Sequence, residues 1–266
     1  MPLHTFLIKL YFCNMLILKK SLGQHFLHDE NMCRKIVASL SAGDHVRLLE
    51  IGPGGGALSK YLLRLEHIDY KAIEVDKEKV IYLKATFPGM AERLIHQDFL
   101  KSRRPFSDNF SIIGNFPYNI SSQILFKILE WEDAVDEVIG MFQKEVALRV
   151  VAPAGNKTYG ILSVLIQAFF KTEYLFDVHE NCFTPPPKVK SGVIRLSNAG
   201  NPFHIEEKPA FFKMVKAAFG QRRKTLRNAL KPLFPAGVPD DPIFGKRAEQ
   251  LEVREFVDMY KRYFAS

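Results

Sequence analysis

The sequence has few cysteines, and their placement excludes two classes of protein. Cys13, Cys33 and Cys182 are scattered along 266 residues. They show neither the close pairing of a zinc site nor the even number and spacing of a disulfide framework. We therefore expect reduced thiols in a cytoplasmic protein that holds no metal.

A long uninterrupted hydrophobic run is also missing. Met1–Leu18 is mostly apolar, but Lys9 and Asn14 interrupt it, and a hydrocarbon core of about 30 Å disfavours such residues. The positive charge lies in the middle of the stretch and no small-residue cleavage site follows, which does not fit a signal peptide. Met15 offers an alternative start. We therefore predict no membrane association and treat residues 1–18 as an N-terminal extension.

Negative charge is in the minority. The 37 Lys and Arg residues against 29 Asp and Glu give a formal net charge of +8. Residues 203–266 alone carry 13 Lys and Arg against 8 Asp and Glu. Such a balance favours a polyanionic partner. A hydrophobic content of 47% with 22 phenylalanines is enough for a packed core, which excludes a disordered chain, and the length suits one full-sized domain plus a smaller one.

A glycine-rich loop follows the first clear strand. Val46–Ile51 is short and apolar, and Gly52–Ala57 comes directly after it, before a helix from about Leu58 to Leu65. This order is typical of a nucleotide-binding α/β sheet, in which glycines let the backbone approach the ligand. The loop fits G-x-G-x-x-G/A, and Glu74 ends the next strand, where a carboxylate can accept hydrogen bonds from ribose hydroxyls. A dinucleotide site is therefore one interpretation.

Polar residues also end the two strands that follow. Asp98 comes after the strand Arg93–His96, where it could accept a hydrogen bond from an adenine amino group. The turn Asn115–Tyr118 comes after the strand Phe110–Gly114. Glu74 or Asp98 alone would more often be a helix cap or a surface charge. Three polar sites at three successive strand ends indicate one binding edge instead.

The turn itself has two interpretations. Pro117 fixes its own backbone and restricts Phe116, so the carbonyls point in set directions. The side-chain carbonyl of Asn115 and the backbone carbonyl of Phe116 could accept the two N–H bonds of an aromatic amine, while Tyr118 stacks on its ring. The simpler interpretation is a proline turn with a packed tyrosine. The tetrapeptide alone does not separate the two.

The strand pattern stops at Asn198, and apolar residues then recur at helical spacing, which predicts a helical domain over residues 203–266. Within it, Gly220–Lys231 contains five basic residues and no acidic one. A single helix would place Lys224, Arg227 and Lys231 on one face. We interpret this basic stripe as a phosphate-binding surface in preference to a solvated face.

Together these features resemble the ribosomal RNA adenine dimethyltransferase family, which dimethylates two adjacent adenines near the 3′ end of small-subunit rRNA. The likeness covers nearly the whole chain from Lys19 onward and depends on seven ordered segments. These are Lys20–Asp29, Glu50–Ala57, Glu74–Asp76, Gln97–Asp98, Asn115–Asn119, the proline-rich Phe183–Val189 and Phe219–Leu230. The resemblance implies an α/β, Rossmann-like class I S-adenosylmethionine-dependent methyltransferase sheet over residues 19–198 and a small all-helical, RNA-binding C-terminal domain over residues 203–266.

The resemblance also implies the site residues. The S-adenosylmethionine site would comprise His25, Leu27, Gly52, Glu74, Asp98 and Asn115. The catalytic group would comprise Asn115, Phe116, Pro117, Tyr118 and Phe183, with the target base between the rings of Tyr118 and Phe183. The RNA-binding group would comprise Arg222, Arg223, Lys224, Arg227 and Lys231. Two positions depart from the family pattern, since His25 stands where Asn is common and Phe116 where Leu is common.

The implied partner is small-subunit rRNA within a pre-ribosomal particle, bound by a monomer. Three alternatives stay open. A related class dimethylates one adenine of large-subunit rRNA and confers macrolide resistance, and Phe183–Val189 favours the small-subunit group. An NAD-dependent dehydrogenase is allowed by the glycine loop and Glu74, but it leaves the turn Asn115–Tyr118 without a role. A non-catalytic RNA-binding assembly or transcription factor on the same scaffold is disfavoured by the intact Asn115 and Tyr118.

Overall fold

The computed structural model describes residues 25–41, 47–66 and 68–265. The N-terminal extension, Cys13 and the basic residues Lys19 and Lys20 lie outside the described residues, so the predictions made for them are not addressed by the structure.

Within the described residues, the strands form a two-stranded and a seven-stranded sheet. The small sheet pairs β1 with β8, and the large one has the order β4-β3-β2-β5-β6-β9-β7. In chain order the strands are β1 (Phe26–Leu27), β2 (Arg47–Ile51), β3 (Asp69–Glu74), β4 (Leu94–His96), β5 (Phe110–Asn115), β6 (Val135–Gln143), β7 (Phe170–Val178), β8 (Phe183–Thr184) and β9 (Ser191–Asn198).

The strands β4, β3, β2, β5 and β6 run parallel. Ile51 lies opposite Ile73 across β2 and β3, and Gly114 lies opposite Gly140 across β5 and β6. Parallel pairing brings the carboxyl ends of these strands to one edge of the sheet, as the sequence pattern predicts. The strands are mostly buried apolar residues, which is typical of a sheet covered on both faces.

Two helices begin at aspartate caps. Asp29 accepts the Met32 N–H at 2.8 Å before α1, and Asp76 accepts the Glu78 N–H at 3.0 Å before α3. The helices are α1 (Glu30–Val37), α2 (Ser59–Leu62), α3 (Lys77–Thr86), α4 (Ser121–Glu130), α5 (Lys144–Val151), α6 (Ile161–Gln167), α7 (Lys208–Gly220), α8 (Leu226–Ala229) and α9 (Val253–Tyr263).

The chain divides into two compact units. Of the described residues, the first unit contains those up to Lys144 together with Tyr174–Leu196, and the second contains Glu145–Glu173 and those from Ser197 onward. This division differs from the predicted sequence boundary in one respect, because Glu145–Glu173 groups with the C-terminal helices.

The second unit corrects one prediction. The segment Gly220–Lys231 is not a single helix, because α7 ends at Gly220 and residues 221–225 form a turn before the short α8. Gly220 is a poor helix former, and Gln221 leaves the helical region with φ −125° and ψ 59°. Lys224 and Arg227 therefore do not lie on one continuous helical stripe.

Two further findings concern membrane-spanning helices and metal-binding clusters. Among the described residues, no helix is long and apolar enough to cross a membrane. Within the same residues, no group of three or more His, Cys, Asp or Glu side chains is arranged to hold a metal ion. Cys33 and Cys182 are both buried free thiols.

Candidate active site

The carboxyl ends of β2, β3 and β5 open onto a cavity of about 280 Å³. Ligand sites in open α/β sheets lie at this edge. The cavity is lined by every predicted cofactor residue and by the predicted turn, namely His25, Leu27, Gly52, Glu74, Asp98, Asn115, Phe116, Pro117 and Tyr118. Residues from five separate parts of the sequence thus share one site, while their individual roles stay predictions.

The glycine loop is hydrogen-bonded to Glu74. Gly52 and Gly54 have φ values of +66° and +58°, which residues with a Cβ rarely adopt. Oε2 of Glu74 accepts the Gly54 N–H at 3.1 Å, and Oε1 accepts the N–H groups of Val75 at 2.9 Å and Asp76 at 3.0 Å. The carboxyl group is therefore held in one orientation, and its remaining lone pairs can accept hydroxyl donors from the cavity.

Asp98 offers a second acceptor in the same cavity. Its Oδ1 accepts the Leu100 N–H at 3.0 Å and caps a short 3-10 helix. Its Oδ2 has no hydrogen-bond partner within residues 25–41, 47–66 and 68–265. That oxygen can accept a hydrogen bond from the amino group of an adenine.

Glu50 lines the same cavity and was missed by the sequence interpretation. It is 2% exposed, and its Oε2 accepts hydrogen bonds from Ser59 Oγ at 2.7 Å and from the Tyr70 hydroxyl. Burial raises the pKa of this carboxyl to about 7, although both hydrogen bonds act in the opposite direction. A single acidic residue between the buried apolar residues Leu49 and Ile51 of β2 was the available signal.

The raised pKa of Glu50 predicts a pH-dependent stability. The folded protein keeps the proton up to about pH 7, whereas the unfolded chain releases it near the ordinary value of 4.5. The free energy of unfolding therefore falls as the pH rises through this window, by up to about 3 kcal/mol from this residue. Glu50→Gln removes the titrating group and keeps an amide oxygen that can accept the hydrogen bonds from Ser59 and Tyr70. The free energy of unfolding of this variant should therefore rise relative to that of the unmodified protein as the pH increases from 5 to 8.

Urea unfolding at several pH values measures this difference directly. Glu92→Gln, at an exposed position, is the matched control and is expected to give a curve parallel to that of the unmodified protein. Parallel curves for Glu50→Gln as well would show that Glu50 does not bind a proton in the folded state near neutral pH.

The turn after β5 presents two free acceptors. Nδ2 of Asn115 donates a long hydrogen bond of 3.4 Å to the His25 carbonyl, which directs Oδ1 of Asn115 away from that group. Neither this Oδ1 nor the Phe116 carbonyl accepts a hydrogen bond within the described residues. Oγ of the buried Ser121 donates to the carbonyls of Pro117 and Tyr118, at 3.1 and 3.2 Å, and so stabilises the turn.

Phe116 anchors the turn through its side chain, which the sequence interpretation also missed. The ring is 1% exposed and lies 4.9 Å from the ring of Phe142. A Cβ at Gly114 would lie 2.5 Å from the Phe116 ring, and one at Gly140 would lie 2.6 Å from it. The two glycines, paired across β5 and β6, therefore leave the space that this ring fills. Glycines inside buried strands often mark such a close approach.

Tyr118 is a fixed aromatic wall of the cavity. Its hydroxyl is hydrogen-bonded to the fully buried Ser191, and its ring stacks on the ring of His25 with centroids 5.6 Å apart. Burial raises the pKa of Tyr118 above its ordinary value of 10, so the phenol stays neutral at physiological pH. The side chain can stack on a ring but is not a general base.

Phe183 is buried in the structure. The resemblance implies that its ring lies across the target base from Tyr118, and here the ring is 2% exposed and belongs to the hydrophobic core of the first unit. Phe183 pairs with Leu27 across β8 and β1, and it is not among the residues that line the cavity. In this conformation it supports the wall of the site, and its contact with the target base stays a prediction.

The five predicted RNA-binding residues are all exposed. Arg222 donates to the Lys157 carbonyl at 2.7 Å, and Arg227 lies 3.6 Å from the exposed carboxylate of Asp240. The turn places Arg223 and Lys224 before α8, whose apolar residue Leu226 is fully buried. The segment is therefore a compact basic surface with an apolar inner side, although it is not a helical stripe.

The chain matches a known family and is similar in sequence to several known proteins. The model of the family described as ribosomal RNA adenine dimethylase matches residues 15–264. A "Ribosomal RNA small subunit methyltransferase A" from Cytophaga hutchinsonii is 54% identical over 246 residues, covering 91% of this chain and 95% of the relative. A protein of the same name from Flavobacterium johnsoniae is 51% identical over 243 residues, covering 90% and 93%.

Solved structures share the fold. A dimethyladenosine transferase from Plasmodium falciparum aligns with a TM-score of 0.76 at 24% identity, over 90% of this chain and 97% of that one. The 23S rRNA methyltransferase ErmE aligns with a TM-score of 0.65 at 24% identity, over 88% and 99%. These likenesses support the predicted class I methyltransferase architecture.

Proposed function

The chain belongs to the ribosomal RNA adenine dimethylase family, and we propose that it transfers methyl groups from S-adenosylmethionine to N6 of two adjacent adenines near the 3′ end of small-subunit rRNA. The family match supports adenine dimethylation, and two relatives at about half identity bear the name "Ribosomal RNA small subunit methyltransferase A", which supports small-subunit rRNA as the substrate. The observation that supports the proposed chemistry is one cavity that combines the Glu74 carboxyl with the free acceptors of Asn115 and Phe116.

The residues present fit S-adenosylmethionine. The glycine loop gives close backbone approach, Glu74 offers oxygen acceptors for ribose hydroxyls, and Asp98 offers Oδ2 for the adenine amino group. The bound cofactor would supply an electrophilic methyl group on a sulfonium centre. Asn115 lies at the junction of this part of the cavity and the turn, so it can serve both ligands.

The turn supplies the chemistry on the substrate side. The exocyclic N6 of adenine is a poor nucleophile because its lone pair is delocalised into the ring. Asn115 Oδ1 and the Phe116 carbonyl would accept its two hydrogens and favour a tetrahedral nitrogen. These hydrogen bonds strengthen as positive charge develops on the nitrogen, which lowers the barrier, and fixed positioning contributes further. The positively charged aminium formed by methylation is a strong acid and gives its proton to water without a base of raised pKa.

The alternatives fit less well. An NAD-dependent dehydrogenase would use the loop and Glu74 but would leave the two free acceptors of the turn without a role. A non-catalytic RNA-binding protein would not need the fixed geometry that Ser121 and the buried Phe116 ring impose on that turn. We also propose a cytoplasmic location, which the rRNA substrate supports, and a monomeric state.

The decisive experiment is methyl transfer from labelled S-adenosylmethionine to purified small ribosomal subunits that lack the modification, followed by mapping of the modified nucleotides. We expect two adjacent dimethylated adenines near the 3′ end of the small-subunit rRNA. Label in large-subunit rRNA would support the large-subunit alternative, and no transfer to either subunit would overturn the proposed function.

Cofactor choice gives a prediction of its own. At 100 times its dissociation constant, S-adenosylmethionine is expected to stabilise the fold by about 2.7 kcal/mol, which raises the melting temperature by roughly 5–10 °C. NAD at the same concentration is expected to have no effect. Glu74→Ala should reduce the shift because it removes the ribose acceptor. A larger shift with NAD than with S-adenosylmethionine would overturn the assignment.

The basic surface gives another prediction. Changing Arg223, Lys224 and Arg227 to Gln is expected to weaken binding of small subunits and leave S-adenosylmethionine affinity unchanged, because these exposed side chains lie outside the residues that line the cofactor cavity. The log–log salt slope should shrink by about 0.7–0.9 for each RNA phosphate that the variant no longer neutralises. Filter binding at several salt concentrations measures the affinity for small subunits and the salt slope of that affinity.

The matched control carries the same loss of charge on the first unit. The triple change Lys84, Lys101 and Arg103 to Gln removes three exposed positive charges there. An equal loss of affinity in both triple variants would mean that net charge alone, and not the surface around Arg223, attracts the RNA.

A further inference from the structure

Lys79 is a buried lysine in the wall of the cofactor cavity, and the sequence interpretation gave it no role. It is the third residue of α3 and is 2% exposed. It lines the same cavity as Glu74, which ends the preceding strand. Lysine is almost never fully buried unless another group compensates its charge, so this position requires a physical reason.

The aromatic ring of Phe26 lies beside the ammonium group of Lys79. Nζ is 5.0 Å from the centre of that ring, within the range of a cation–π interaction. The same ring approaches the glycine loop, since its Cε1 lies 3.9 Å from where a Cβ of Gly54 would stand. We propose that Lys79 is a positioning residue of the cofactor site, which holds the Phe26 ring against the glycine loop. This inference rests on the proposed function.

The backbone of β1 and the ring of Phe26 are held by different contacts. Pairing with β8 fixes the backbones of Phe26 and Leu27. Successive side chains of a strand point to opposite faces, and Leu27 is 4% exposed in the core of the first unit. Phe26 is only half-buried and lines the cavity instead. Core packing therefore fixes the side chain of Leu27, while the interaction with Lys79 limits rotation of the Phe26 ring.

The Phe26 ring contributes to the wall of the cavity next to the proposed ribose acceptor. Oε2 of Glu74 accepts the Gly54 N–H at 3.1 Å, and Gly54 is the residue that the ring approaches. A cofactor that lies close to the backbone of the loop is therefore expected to contact the ring as well. If the ring rotates away, the cofactor loses this apolar contact and water takes its place. Lys79 would thus act on cofactor affinity through Phe26.

Two substitutions at Lys79 test the role of its charge. Lys79→Met removes the ammonium group and keeps a flexible stem, whereas Lys79→Arg keeps a cation that can lie over the ring. Calorimetry gives the dissociation constant for S-adenosylmethionine. We expect Lys79→Met to raise it about 3- to 30-fold, the factor that corresponds to one cation–π interaction, and Lys79→Arg to raise it less. Lys84→Met, at an exposed position of the same helix, is the matched control and should not change it.

A double-mutant cycle with Phe26→Leu separates the proposed role from a direct contact between Lys79 and the cofactor. Phe26→Leu alone should also raise the dissociation constant, because the ring is lost. In that background Lys79→Met should add less than about twofold, because the ring through which Lys79 acts is absent. The same factor in both backgrounds would overturn the inference, since Lys79 would then contact the cofactor itself or only stabilise the fold. An unchanged dissociation constant in Lys79→Met would also overturn it.

Thermal unfolding without cofactor shows whether each variant folds. Lys79→Gln, which is also uncharged, takes the place of Lys79→Met in the cycle if the Met variant does not fold. Failure of the unmodified protein to bind S-adenosylmethionine would overturn the proposed function. Binding by the unmodified protein together with an additive cycle would overturn only the role of Lys79, so the two failures are distinguishable.

Discussion

Asn115→Ala is expected to reduce kcat for methyl transfer by about 10²- to 10³-fold, the usual cost of removing one preorganised hydrogen-bonding group that stabilises developing charge. Oδ1 of Asn115 is one of two free acceptors at the catalytic turn. Without it, only the Phe116 carbonyl remains to draw on the amino hydrogens. Transfer of label from S-adenosylmethionine to small subunits under single-turnover conditions measures the effect on the chemical step.

The control for this variant lies at the other end of the same strand. Asn109 is exposed just before β5, and its Nδ2 donates to Asp136 at 2.8 Å. Asn109→Ala is expected to leave the rate unchanged. Asn115→Ala also removes a residue of the cofactor cavity, so calorimetry must show how much of any loss is weaker S-adenosylmethionine binding. Turnover close to that of the unmodified protein would exclude Asn115 as an acceptor in the reaction.

The assembly of the cavity follows from sequence rules. Glu74, Asp98 and Asn115 each come at the end of an apolar strand, and parallel pairing alone brings such ends together. The conformation of the glycine loop can likewise be predicted from the sequence, because the positive φ values at Gly52 and Gly54 are typical of glycine. Features of this kind depend on local order along the chain, which a single sequence contains.

The missed features depend on contacts between distant residues. Phe183 is buried in a hydrophobic core that also contains Leu27, its strand partner 156 residues earlier. The space for the Phe116 ring needs Gly140, which only strand register brings beside Gly114. The buried Glu50 is explained by Ser59 and Tyr70, from a helix and a neighbouring strand. Periodicity carries no information about such partners.

The error in the basic segment has a different cause. Leu226 and Leu230 are fully buried at the spacing that a helix requires, so the apolar pattern fits both a long helix and a turn followed by a short one. The structure has the turn, and the Leu226 N–H donates to the Lys246 carbonyl at 2.8 Å where a continuous helix would use an earlier carbonyl. A hydrogen bond to a distant residue thus favours the turn and short helix over one long helix.

The glycines under Phe116 give the second large expected effect. A Cβ at Gly140 would lie 2.5 Å from the Phe142 ring and 2.6 Å from the Phe116 ring, both fully buried. Gly140→Ala is therefore expected to destabilise the fold by about 1–3 kcal/mol through overpacking. It should also reduce methyl transfer by about 10²-fold, because a displacement of about 1 Å in a positioning group has that cost. Urea unfolding and methyl transfer to small subunits measure the two effects.

Two further variants separate this mechanism from general damage. Gly245→Ala is the matched control, since a Cβ there meets nothing within 4 Å, and it should change neither stability nor rate. Phe116→Leu added to Gly140→Ala makes room on one side, so part of the activity should return while the Phe142 contact still lowers stability. If Gly140→Ala lowers stability but keeps the full rate, the Phe116 ring does not set the position of its carbonyl. The turn would then be positioned by Ser121 and Pro117 alone.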